Sequence, residues 1–228
     1  MEILANDRFP GAVAITDANF GRLEGRSLPP GVLLTDLHDL ECMMLASPAW
    51  EKLLYELAQP NRIDAFQRQN SRDVLTAIAR SAATVGYLRW ASLRHGLSLK
   101  FEGLSFSRFL RRTDLAVDTA RLIEEVKNHS LKPDVDASWL EAEIVALSAH
   151  GHDPWEVACG HDAIEILSFA LRRVLAAGAH SEVRREFLER NLRLAYERLF
   201  FRKTKLWESL RLWQASNAPY RVLPHGDE

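Results

Sequence analysis

Two short acidic stretches carry the residue types that could do chemistry. The segment TDLHDLECMM, from Thr35 to Met44, places Asp36, His38, Asp39 and Glu41 close together, directly after the apolar run GVLL. The segment TDAN places Asp17 at the end of the apolar run GAVAIT, with Asn19 two residues on. Acids fixed at the end of a buried strand suit Mg²⁺ or Mn²⁺, because hard cations take oxygen ligands. Asn19 still offers a carbonyl oxygen, though without charge. His38 adds a base or a ligand. Each stretch also has a purely local reading. Asp and Asn favour Asx turns and tolerate left-handed backbone. Asp36 or Asp39 can cap a helix, and acids in a first turn complement its dipole. Adjacent parallel strands would nevertheless bring Asp17 and Asp36 together at one sheet edge, where two carboxylates call for a counter-ion.

Two further segments enter the same argument. In CGHDAIEIL, Gly160, His161 and Asp162 precede an apolar helical pattern. A glycine turn and an Asp cap explain it, or His161 faces the acidic site as a phosphate contact or general acid/base. In RLFFRKTKLWESLRLW, Arg202, Lys203 and Lys205 interleave with Phe200, Phe201, Trp207 and Trp213. Such mixtures bind phosphate backbones and stack bases, whereas at helical spacing the aromatics form core and the charges a solvated face. His150 and His152 lack a second ligand pair and read as loop. No P-loop, GxSxG or GxGxxG occurs.

The elements that must position these residues follow from the apolar periodicity. Gly11–Thr16 and Val32–Thr35 read as buried strands of a parallel sheet, whose chemistry sits at the C-terminal strand edge. The linker between them holds three of the chain's 11 glycines and two of its nine prolines, so it is a loop. Helices are expected over Asp39–Leu45, from Ser47 as N-cap with Pro48 at the first position, and over Arg72–Arg94. Leu97–Gly103 alternates like a strand. Further helices are expected over Ser107–Asp114, Val117–Asn128, Ser138–Ala149, Asp162–Ala177 and Glu182–Trp213, with Gly178 as a stop and Ser181 as a start. The last residues, from Asn217, read as irregular. The fold class is therefore a mixed, helix-rich α/β protein. Residues 1–60 would form a small parallel sheet that is incomplete within the chain, and residues 61–228 a mostly helical region.

Composition narrows the class. Net charge is −2, from 29 basic and 31 acidic residues in 228, so any nucleic-acid contact must be a local patch. Cys42 and Cys159 are far apart, which argues against a disulfide framework and against a cysteine-based zinc site, and fits a reducing cytosol. No signal-peptide pattern or membrane-length apolar run is present. The expected location is cytoplasmic, away from membranes.

Several of these segments, AITDANFGRLEG, LLTDLHDLECMML, CGHDAIEILSFALRR and YERLFFRKTKLWESLRLWQASNAPYRVL, occur in an order that resembles the DUF4435 family. That resemblance implies a Toprim-like core related to the nuclease domains of OLD-type proteins, and a role in antiphage defence. It implies Mg²⁺- or Mn²⁺-dependent phosphodiester cleavage and an ABC-type ATPase or nucleic acid as partner. Asp17 would be the first acid of the family's Asp-x-Asp, with Asn19 in the second place. Asp36, Asp39 and Glu41 would stand beside it as metal ligands, Asp17, Asp36 and His161 would be catalytic, and Arg202, Lys203 and Lys205 would contact nucleic acid. The family's first strand, with its Glu, belongs well before Asp17, so the chain reads as N-terminally shortened. A non-catalytic member that binds the ATPase or nucleic acid through its helical part is the alternative.

Overall fold

The apolar run before Asp17 forms β1 (Ala14–Thr16), and the run before Asp36 forms β2 (Val32–Leu34). They pair in parallel, Ala14 opposite Val32. The computed structural model describes residues 11–132, 134–175 and 183–224, and among them these are the only named strands. The linker contains no helix. It turns back on itself instead, through Phe20–Gly25. The sheet is less buried than its apolar sequence suggests: Ile15 is 51 % exposed. Val13 and Leu33 pack against a small cluster of Leu206, Trp207 and Leu210, leaving Ile15 toward solvent.

Everything else is helical or loop. The helices are α1 (Leu40–Leu45), α2 (Ala49–Leu57), α3 (Pro60–Asn70) and α4 (Val74–Arg94), then α5 (Thr119–Ser130), α6 (Ala137–Ser148) and α7 (Pro154–Val157). After these come α8 (Gly160–Arg173), α9 (Arg185–Ala195), α10 (Arg198–Phe201) and α11 (Lys205–Ser216). Helices take up 58 % of the described residues, so the class is helix-rich α/β. Among the described residues no helix is long and apolar enough to cross a membrane.

The centre is α4, which packs against α6, α7 and α8. Its buried side is rich in alanine (Ala77, Ala79, Ala82, Ala83, Ala91), and small residues let neighbouring helices approach closely. Gly86 takes this furthest: a Cβ there would stand 2.2 Å from the carbonyl oxygen of Val157 in α7. Larger apolar side chains, among them Ile78, Leu88, Leu122, Leu140, Ile164 and Leu167, close the core around it.

Capping fixes where α4 starts. The Asp73 carboxylate accepts the Thr76 N–H at 2.8 Å and the Thr76 hydroxyl at 2.7 Å. Partial burial works against the Asp73 charge, but these bonds outweigh it and hold the carboxyl below its ordinary value. The contribution is present above the unfolded value, near pH 3.9, and is lost as pH falls through the lower folded value. Asp73→Ala is therefore expected to cost about 1 kcal/mol near neutral pH. Thermal melts from neutral to acid should show the gap to wild type closing at the acid end.

Four sequence expectations change. Leu97–Gly103 is not a strand: the N–H groups of Leu99 and Lys100 are taken by the hydroxyls of Ser92 and Ser130, not by a neighbouring strand. Ser107–Asp114 is a single 3₁₀ turn, Phe106–Arg108, followed by an isolated bridge between Leu110 and Val117. There the Asp114 carboxylate accepts the Ala116 N–H and pairs with Arg111, which favours a turn over a helix. The long helix over Glu182–Trp213 is three helices, broken near Tyr196 and again at Arg202–Thr204. The Thr204 hydroxyl accepts the Trp207 N–H and starts α11 afresh. Polar α3 was not expected at all; Pro60 opens it, and Ile63 and Phe66 bury its narrow apolar side. Ser47 acts as foreseen one position removed, accepting the Ala49 N–H at 3.2 Å. Gly178 and Ser181 lie outside the described residues.

Candidate functional site

The loops that follow the two strands are tied together. Ala18 donates its N–H to the Thr35 hydroxyl at 2.9 Å, and Asn19 donates its N–H to the His38 carbonyl at 2.8 Å. Asn19 adopts φ 45°, a left-handed backbone that asparagine tolerates, and its side-chain NH2 donates back to the Asp17 carbonyl. Arg22 donates to the Thr35 and Asp36 carbonyls, closing the loop from the other side.

The acids of the opening segment then part company. Asp36 turns toward the C-terminal helices, where its carboxylate accepts the N–H groups of Lys205 and Leu206, both at 2.7 Å. It thus caps α11, a helix about 170 residues away in sequence. Asp39 turns inward and is only 6 % exposed. One of its oxygens accepts the Cys42 N–H at 2.9 Å and caps α1, while the other accepts the Gly160 N–H at 2.6 Å and holds the start of α8. Gly160 must be glycine here, because a Cβ would meet the Asp39 oxygen at 2.3 Å and the Glu41 Cβ at 2.4 Å.

Asp17, Glu41 and His161 surround this anchor. Burial and then the Asp39 charge raise the Asp17 carboxyl, although the Leu40 N–H and the charges of His38 and His161 oppose them. Burial raises Glu41 as well, with Asp39 adding to it and His161 opposing it. His161 is exposed in the first turn of α8, its Nε2 3.9 Å from Glu189 of α9. The structure thus gathers Asp17, Asp39, Glu41 and His161 within one field and sends Asp36 elsewhere.

Behind them runs a second set of contacts. Arg89 of α4 forms a bidentate pair with Asp162, at 2.6 and 2.8 Å, and lies 4.4 Å from the centre of the Phe101 ring. Burial works against the Arg89 charge, but the bonds and charge of Asp162 outweigh it and push its pKa up. Two cavities adjoin the pair. One, of about 510 Å³, is lined by Asn19, Phe20, His38, Arg89, Leu99 and Cys159 among others. The other, of about 410 Å³, includes Cys159, His161, Asp162 and Arg185. His38 is 4 % exposed, makes an edge contact with Phe20 and directs Nδ1 to the Glu156 carbonyl at 3.2 Å.

Whether the acids fit Mg²⁺ or Mn²⁺ turns on their convergence. Among the described residues, the one group of three whose ligand atoms all lie within 4.8 Å of one another is His38, Asp39 and Cys159. Asp17, Asp36 and Glu41 do not join it. Among the described residues the acids therefore do not assemble an all-oxygen cage in this conformation.

The basic residues named from the sequence flank Asp36. Arg202 lies over the Trp207 ring, 5.7 Å from its centre, and Lys203 and Lys205 are exposed. They belong to a wider feature that the RKTK motif understates. Residues 183–224 carry ten basic and four acidic side chains, a net of +6 in a chain whose total is −2. Arg190, Arg193, Lys203, Lys205 and Arg211 are all exposed. Counting charge by segment would have found this patch; the overall balance conceals it. The Arg89–Asp162 pair and Cys159 were also missed, because nothing in sequence spacing links α4 to the start of α8. Comparison of the chain with protein-family models, curated proteins and solved structures finds no match to any of the three.

Proposed function

We propose that this chain is a nucleic-acid-binding protein whose contact surface is the basic stretch α9–α11. The observation that carries the reading is the net charge of +6 over residues 183–224, with nine of its ten arginines and lysines on exposed positions. Phosphate neutralisation supplies most of the affinity in sequence-tolerant binding, and exposed aromatics such as Phe187 and Tyr220 offer stacking surfaces nearby. Charge reversal tests it. Arg190→Glu with Arg193→Glu is expected to weaken binding of a labelled DNA or RNA oligonucleotide at least tenfold in fluorescence anisotropy at low salt. Equal affinity in the folded variant contradicts it. An ABC-type ATPase that docks on the same face would instead leave oligonucleotide affinity negligible in wild type.

A second reading, metal-dependent phosphodiester cleavage, is favoured by one specific observation. Burial, and with it the Asp39 charge, raises the carboxyls of Asp17 and Glu41, which a cation drawn to these acids would relieve, although their oxygens do not converge on one point in this conformation. Under it, Asp17→Ala should reduce Mg²⁺- or Mn²⁺-dependent cleavage of DNA or RNA to background. Glu41→Gln should lose cleavage while keeping or slightly raising the melting temperature. The sign follows from the raised carboxyl: stability is complete below the unfolded value and declines as pH rises through the folded one, so a neutral amide avoids that loss. Wild type inactive with either metal removes this reading and leaves the first intact.

A further inference from the structure

The residues at the meeting point of the two cavities form a donor set of a different kind. His38 precedes Asp39 in the turn before α1, and Cys159 is the residue before α8. The N–H of His38 bonds to the Trp155 carbonyl and its Nδ1 faces the Glu156 carbonyl, so both ends of the residue are fixed to the α7 segment. With Nδ1–H donating to that carbonyl, Nε2 is the nitrogen left to ligate, an arrangement typical of metal-binding histidines. Asp39 is oriented by the Cys42 and Gly160 N–H groups, so it too has outer partners in place. One imidazole, one carboxylate and one thiol thus converge within 4.8 Å, two of them buried and all on short, capped segments.

We propose that His38, Asp39 and Cys159 form a transition-metal site of the zinc class, with its fourth position open to the 510 Å³ cavity. The donor chemistry selects the ion. Nitrogen and sulfur ligands suit Zn²⁺ and its relatives, whereas Mg²⁺ and Ca²⁺ require oxygen. Three protein ligands and an open position are the pattern of a reactive zinc centre, not of a closed structural one. Bonds of about 2.0 Å to nitrogen or oxygen and 2.3 Å to sulfur bring ligand atoms to roughly 3–4 Å of one another. Ligation therefore draws these side chains inward from their present separations of up to 4.8 Å. The charges are compatible. Arg89, a cation beside the site, is paired by its bidentate bond to Asp162.

The site stands apart from nucleic-acid binding by α9–α11, and its test reads a different signal. Metal-free protein is titrated with Co²⁺ and followed by absorption. The expected result is a near-ultraviolet sulfur-to-cobalt charge-transfer band together with intense visible bands of four-coordinate cobalt, both reversed by Zn²⁺. Cys159→Ser should abolish the charge-transfer band, and His38→Gln should weaken binding by more than about tenfold. Circular dichroism establishes that each variant is folded. No sulfur band in folded wild type overturns the proposal, and so does a band that survives Cys159→Ser.

Discussion

Asp162→Ala is expected to destabilise the protein by about 3–5 kcal/mol, the cost of leaving a desolvated charge without its partner. Asp162 is 3 % exposed and gives both carboxylate oxygens to Arg89, which is half-buried between α4 and α8 against Phe101. Among the described residues no second acid bonds to that guanidinium. For a chain of this size each kcal/mol moves the melting temperature by about 2–4 °C, so calorimetry should show a fall of roughly 6–20 °C. Replacing both partners, with Arg89→Met alongside Asp162→Ala, is expected to recover much of that loss, because the uncompensated charge is then gone. If the double variant is no more stable than Asp162→Ala, the pair is not a coupled unit.

Asp39→Ala is expected to cost about 2–4 kcal/mol, because one carboxylate holds two helix starts. Its loss leaves the Cys42 N–H at α1 and the buried Gly160 N–H at α8 without acceptors. Asp39→Asn should fall between, since its amide retains one oxygen and can serve only one helix well. Gly160→Ala attacks the same contact from the other side, its Cβ arriving 2.3 Å from that carboxylate. The two changes therefore share one interaction, and Gly160→Ala should cost less in the Asp39→Ala background than in wild type. Additive costs in denaturant titrations would show that Asp39 and Gly160 act separately.

These two carboxylates also mark how far the sequence could be read. Capping was legible at Asp39 because its partner, α1, is the next element, and both chemistry and distance are local. The acid at Asp36 declared the same valence but not its address: its helix, α11, lies at the other end of the chain. Asp162 read as a helix start, and its buried guanidinium, on α4, could not be inferred from spacing. The parallel pair β1–β2 followed from two apolar runs each ending on an acid, which sequence shows plainly. The Leu97–Gly103 segment misled because alternation records which side chains are buried, not what satisfies the backbone, and here serine hydroxyls do so. The candidate donor set was hidden for a related reason. Cys159 was weighed only for disulfides and cysteine zinc motifs in sequence, while His38 and Asp39 reach it through the fold.

The basic stretch was half visible. Arg202, Lys203 and Lys205 stood out beside their aromatics, yet the patch extends through α9, where charges are spaced along a helix and form no run. Its consequence is electrostatic and long-ranged, so salt reports on it more directly than any single substitution. The decisive measurement is the affinity of the intact chain for a duplex DNA oligonucleotide across a series of salt concentrations. A straight line of log affinity against log salt is expected, falling with a slope of about −3.5 to −4.5, as release of counterions from four or five phosphates requires. The slope should become shallower by one to two when Arg190 and Arg193 are both changed to Glu. An affinity that is absent at low salt, or that does not vary with salt, would contradict the assignment of α9–α11 as a nucleic-acid surface.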